Sequence, residues 1–269
     1  MNKPLQNCLK LHLDTLYRTW NRKEYIHPDP LEFLHRYEEM EDREIAGMIA
    51  ASLAYGRVKQ ILRSVSVILR VMGPSPAEYV RTVTSGSLKS DLSGFRHRFA
   101  GETHMLSLIT GLKRIVAEHG TLYACFLSGL REEDSTVLDA LSHFADCMSG
   151  GIGNAGHLVP SPARGSACKR LNLYLRWMVR EDAVDPGGWN SVPAEKLIIP
   201  LDVHMHRVGL GLGFTLRKQA DMKTAIEVTA GFRNIVPEDP VRYDFALTRL
   251  GIRSGENLET YLESCRKES

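Results

Sequence analysis

Hydrophobic positions recur at helical spacing along most of this chain. In "RVKQILRSVSVILRVMG", apolar residues stand at 58, 61, 62, 65, 68, 69 and 72, which predicts one amphipathic helix closed by Gly73. "PDPLEFLHRY" predicts a helix start, with Asp29 as cap and proline in the first turn. "DREIAGMIAASLAYG" is apolar over most of its length and reaches a stop at Gly56. "GETHMLSLITGLKRIVAEHG" and "STVLDALSHFADCMSG" predict two further helices, and others are expected near 166–180, 203–212, 220–233 and 240–250. "SGGIGNAGHLVPSPARGS" is a Gly/Pro/Ser loop and the strongest punctuation in the chain. Strand signals are limited to pieces such as "KLIIP", and there is no internal repeat. The expected fold class is all-α.

The segment "SACKRLNLYLRWMVR" has two faces on a helical wheel. At about 100° per residue, Ala167, Leu171, Tyr174, Leu175 and Met178 gather on one side. Lys169, Leu173, Arg176 and Arg180 line up on the other, which predicts one packing face and one cationic face. This helix follows the Gly/Pro loop directly, so its first N–H groups are placed to meet an anion.

Composition changes the picture little. Over 269 residues, 43% hydrophobic and 25% charged describe a globular protein of one unit or two packed lobes. No apolar run reaches the roughly 18–20 residues that span a bilayer, and the charged N-terminus lacks a secretory core, so a cytoplasmic protein without membrane contact is expected. The five cysteines are scattered without a CxxC pair. That pattern argues against a disulfide frame, a zinc ribbon or an iron–sulfur cluster; no cofactor and no metal are expected.

Charge matters through its distribution, not its sum, which is only +2. From Cys147 to Arg180 there is no acidic residue, while Arg164, Lys169, Arg170, Arg176 and Arg180 are basic. One reading is a phosphate-binding surface. The other is a set of cations compensated elsewhere in the fold.

The densest chemistry lies in "PLDVHMHRVGLGLG". Asp202 stands where a helix begins, as an N-cap or first-turn residue that the helix dipole keeps ionised. It is either a plain cap or a catalytic carboxylate. A metal site is disfavoured, because His204 and His206 are two apart and point about 200° away from each other on a helix. His204 reads as a phosphate or backbone contact, and His206 as a packed or surface histidine.

"PLDVHMHRVGLGLGF" resembles the segment of the helix-hairpin-helix DNA glycosylase superfamily that carries the catalytic aspartate, closest to the 8-oxoguanine branch. The resemblance implies a two-lobed fold with a middle helical domain over 41–165 and a second lobe formed by 1–40 with 166–269. It implies Asp202 as the activating carboxylate, His204 as a DNA-phosphate contact and a lysine nucleophile upstream. Lys169, 33 residues before Asp202, is the candidate, with Lys196 as competitor. "MIAASLAYGRVKQILRSVSVIL" resembles the helix pair whose turn fills the gap left by an extruded base, which makes Tyr55 and Arg57 the wedge candidates. "EDPVRYDFALTRLG" falls where 8-oxoguanine enzymes place base-pocket residues, which nominates Asp244 and Phe245; a core aromatic is the other reading of Phe245. Arg164, Arg170, Arg176 and Arg180 would then meet the DNA backbone.

The chain also resembles, over nearly its full length, an uncharacterised bacterial family of the DUF2400 type. It departs from the glycosylases in lacking the hairpin consensus L-P-G-[VI]-G-x-K and the cysteine cluster of endonuclease III. The expected activity is excision of an oxidised purine, such as 8-oxoguanine, from double-stranded DNA by a monomer, with abasic-site lyase chemistry through a lysine Schiff base. The alternatives are a DNA- or RNA-binding protein that keeps the fold without catalysis, and a structural helical protein whose 147–180 cations pair internally.

Overall fold

The computed structural model describes residues 3–150, 155–253 and 261. The described chain is mostly helical. Its α-helices are α1 (Lys3–Trp20), α2 (Met40–Ser52), α3 (Val58–Met72), α4 (Pro76–Thr82), α5 (Ser85–Asp91), α6 (Glu102–His119), α7 (Leu122–Ser128), α8 (Leu138–Ser149), α9 (Lys169–Val179), α10 (Val203–Gly211), α11 (Met222–Arg233) and α12 (Asp244–Arg253). Arg96–His97 (β1) and Ala100–Gly101 (β2) form a two-residue antiparallel pair.

The helix starts follow their caps. Ser75 accepts from Glu78 N, Thr121 from Ala124 N, Asp202 from Met205 N and Asp221 from Thr224 N. Gly73 and Gly120, both at positive φ, end α3 and α6. "PDPLEFLHRY" forms a 3-10 turn, Pro30–Arg36, rather than an α-helix, with Asp29 capping Leu31 N as its sequence suggests. Buried apolar side chains form one cluster drawn from nearly every helix. α2 is its axis, packed against the Pro30–Arg36 turn and α9. A Cβ on Gly47 would stand 3.1 Å from Leu34 Cδ2 and 3.2 Å from Tyr174 Cε2, so glycine permits that close approach.

α1 and α12 pack together, and Tyr243, the residue before α12, donates from Oη to Asp14 of α1 at 2.7 Å. The loop before α9 forms two short 3-10 turns, Gly156–Leu158 and Pro162–Arg164, followed by Gly165 in the left-handed region. The glycine-rich 151–154 of the expected hairpin lies outside the described residues. Among the described residues, no helix is long and apolar enough to cross a membrane.

α9 corrects the two-faced wheel. Both of its sides are buried: Leu173, Arg176 and Arg180 lie inside with Leu171 and Tyr174. Four carboxylates meet the two arginines. Arg176 donates to Asp185 (3.0 Å from Nη2) and to Asp244, while Arg180 donates to Asp182 (2.8 Å), Asp239 (2.9 Å) and Asp185. Burial opposes a guanidinium charge, but the facing carboxylates, Asp185 foremost, together outweigh it for both, so their pKa values are raised and they stay protonated. These two cations are compensated within the fold.

Candidate active site

α9 and α10 both begin at the same place on the surface. Lys169 is the first residue of α9, and its Nζ lies 3.7 Å from Asp202 Oδ2. The two oxygens of Asp202 have separate duties. Oδ1 accepts from Met205 N at 2.9 Å and caps α10, while Oδ2 faces the lysine. Cap and charge partner are therefore one group. The side chains are 31% and 42% exposed, so the pair is open to a ligand.

The residue before the lysine is held in an unusual backbone state. Cys168 has φ 47 and ψ 37, the left-handed region that non-glycine residues rarely enter. Its N–H donates to Ser166 Oγ at 3.2 Å and its thiol to Pro160 O at 3.4 Å. Burial pushes that thiol up to about 11, so it is a packed group rather than a nucleophile. The strained residue sets the angle at which Lys169 leaves the loop.

Arg170 turns inward from the same helix start. It donates to Ser52 O at 2.9 Å and to His157 O, with its guanidinium 4.9 Å from the centre of the Tyr55 ring. Tyr55 Oη donates to His97 O at 3.0 Å and accepts from His157 Nε2 at 2.9 Å. Burial, with Arg170 beside it, lowers the His157 pKa, and burial lowers that of His97, which keeps both rings neutral. This cluster ties the loop before α9 to the α2–α3 turn.

Several expected contacts are corrected. Arg176 and Arg180, each with a side chain only 4% exposed, have no surface to offer a phosphate. Asp244 and Phe245 are buried, Asp244 on Arg176 and Phe245 beneath Arg249, so both side chains are engaged within the core rather than presented at the surface. His204 Nε2 donates to Leu247 O at 3.0 Å and clamps α10 to α12 instead of reaching outward. Tyr55 is half-buried and bonded at its tip, which removes it as a wedge; Arg57 beside it is exposed. Arg170 serves the structure first. Lys196 donates to the carbonyls of Arg131 and Glu132 and stands apart from Asp202 as a local brace.

Arg164 is exposed and lines a cleft with His157, Ser161 and Ser166, opposite Asp146 and Ser149 at the end of α8.

The sequence profile of a family described as "Protein of unknown function (DUF2400)" matches residues 29–253. The chain belongs to that family. No curated protein and no solved structure gives a significant match.

In this DUF2400 chain, one surface group escaped the sequence reading. Phe99 is 76% exposed at the tip between β1 and β2, flanked by exposed Arg98 and close to Arg96. The Arg98 side chain lies over Gly56: a Cβ there would stand 2.6 Å from Arg98 Cδ. The tip therefore abuts the Tyr55–Arg57 turn. A two-residue strand leaves no periodic signal, so only the fold reveals an aromatic held out beside three arginines.

Proposed function

We propose that this protein is a DNA repair glycosylase with abasic-site lyase activity, acting on an oxidised purine such as 8-oxoguanine in double-stranded DNA. The observation that carries the reading is the half-exposed Lys169–Asp202 pair, reached independently by the resemblance of "PLDVHMHRV" and by the meeting of two helix starts. Asp202 Oδ2 takes a proton from the Lys169 ammonium. The freed amine attacks C1′ of the nucleotide, and the glycosidic electron pair leaves with the base, which gains a proton. Loss of the ring oxygen's bond to C1′ gives a Schiff base on Lys169, and elimination of the 3′ phosphate follows from it.

The surroundings suit an extruded nucleotide. Phe99 is placed to enter the stack, and Arg57, Arg96, Arg98 and Arg164 are exposed where phosphates would run. Incubating the full-length protein with duplexes carrying 8-oxoguanine or an abasic site, then adding borohydride, tests the proposal. A trapped complex formed by the wild type and absent with Lys169→Gln supports it. Salt-sensitive binding with no trapped or cleaved product would favour a DNA- or RNA-binding protein without catalysis.

A further inference from the structure

The cysteines are far apart in sequence, yet two of them meet in the fold. α6, α7 and α8 pack on one another, and their facing side chains include His119 at the end of α6, Cys125 within α7 and Cys147 in the last turn of α8. One ligand atom from each of the three lies within 4.8 Å of the other two. We propose that His119, Cys125 and Cys147 bind a divalent transition metal of zinc type, which fastens the three helices together.

Donor chemistry selects the ion. Two sulfurs and an imidazole nitrogen are the ligands of a borderline-soft, tetrahedral cation, and hard oxygen-seeking ions are excluded. Ligand atoms around such an ion stand roughly 3.3–3.8 Å apart, given bonds of about 2.0–2.3 Å, so the cluster needs only small rotamer changes to close. Cys125 is buried, whereas His119 and Cys147 are half-exposed, which leaves a path for entry.

His143 stands beside Cys147 but outside the three-residue group. Its Nε2 lies 3.6 Å from Cys147 Sγ and 3.0 Å from Ser128 Oγ, and it sits one helical turn before Cys147 on the same face of α8. Arg114 is the neighbouring cation, and it is engaged with the carbonyl of Cys147. The position has a structural logic. Cys147 ends the helix that leads into the cleft loop, so a metal there fixes the origin of the loop that delivers Arg164 and Lys169. It is independent of the proposed chemistry at Lys169.

The full-length reduced protein, stripped with a chelator and titrated with Co²⁺ in the absence of oxygen, provides the test. The expected result is saturation near one equivalent, with thiolate-to-cobalt charge transfer and tetrahedral ligand-field bands that Zn²⁺ abolishes. Cys125→Ser and Cys147→Ser should each lose the charge-transfer band while keeping the wild-type far-ultraviolet dichroism, and Cys8→Ser should keep both. His119→Asn should weaken binding at least tenfold. Absence of a saturable band in the wild type, or a band that survives the double Cys125→Ser, Cys147→Ser variant, overturns the proposal. Borohydride trapping at Lys169 is a separate readout, so failure there leaves this result standing.

Discussion

Lys169 Nζ lies 3.7 Å from Asp202 Oδ2, while the other oxygen of the same carboxylate holds the first turn of α10. A half-exposed ion pair of this kind contributes only about 0–1 kcal/mol to stability. Stability and chemistry at this pair can therefore be separated by substitution.

Asp202→Asn keeps an oxygen able to cap and removes the charge. It is expected to lower excision at least a hundredfold with the midpoint of thermal unfolding nearly unchanged. Asp202→Ala loses the cap as well and should cost about 1 kcal/mol more. Denaturant unfolding beside single-turnover kinetics on the two variants reads both effects; equal stability loss in both would assign Asp202 a purely structural role.

Arg176 and Arg164 are expected to behave as opposites although both are basic. Arg176→Ala leaves Asp185 and Asp244 buried without their main partner and should destabilise the fold by about 3–5 kcal/mol. Arg164→Ala removes an exposed cation and should leave stability within about 0.5 kcal/mol, while weakening duplex binding and lowering its salt slope by about one. Urea titrations and fluorescence anisotropy at several salt concentrations compare them.

Phe99→Ala should leave the fold intact, because the ring is 76% exposed. Affinity for duplex DNA is expected to fall by roughly 1–3 kcal/mol, the scale of one lost base–aromatic stack. Fluorescence of 2-aminopurine placed next to the lesion should report less unstacking. Wild-type signal from the variant would remove Phe99 from the interface.

Glu44 is expected to give the protein a pH-dependent stability. It accepts from Leu122 N (2.8 Å), Tyr123 N (3.2 Å) and Trp189 Nε1 (2.9 Å), yet burial pushes its carboxyl up to about 7 from the ordinary 4.5. The folded state then holds more protons than the unfolded state between those values, so stability falls as pH rises from about 4.5 to about 7. The loss is on the order of 3 kcal/mol. Glu44→Gln should flatten that slope in unfolding measured from pH 4 to 8; an unchanged slope assigns it to other groups.

The sequence carried the helices well where one face was apolar, as in α3, α6 and α8, because period alone distinguishes a half-buried helix. It failed on α9, where the polar face is buried too. Nothing local in "KRLNLYLRWMVR" announces that Arg176 will be met by Asp244, 68 residues later. Asp202 as the cap of α10 was legible because a helix start is a local feature. Phe99 was invisible, since its exposure depends on a two-residue strand pair. The meeting of His119, Cys125 and Cys147 likewise depends on three helices packing, and spacing along the chain conceals it.

His204 on Leu247 O has a consequence for when the protein becomes competent. α10 carries Asp202, but its lean is set by a carbonyl of α12, and α12 is itself held by Arg176 from α9 and by α1 through Asp14. Such distant pairings close late in folding, because the intervening loops resist them. A chain still leaving the ribosome thus carries Lys169 and Asp202 without a fixed angle between them. The approach of Lys169 to Asp202 is set only once the later-made helix has docked.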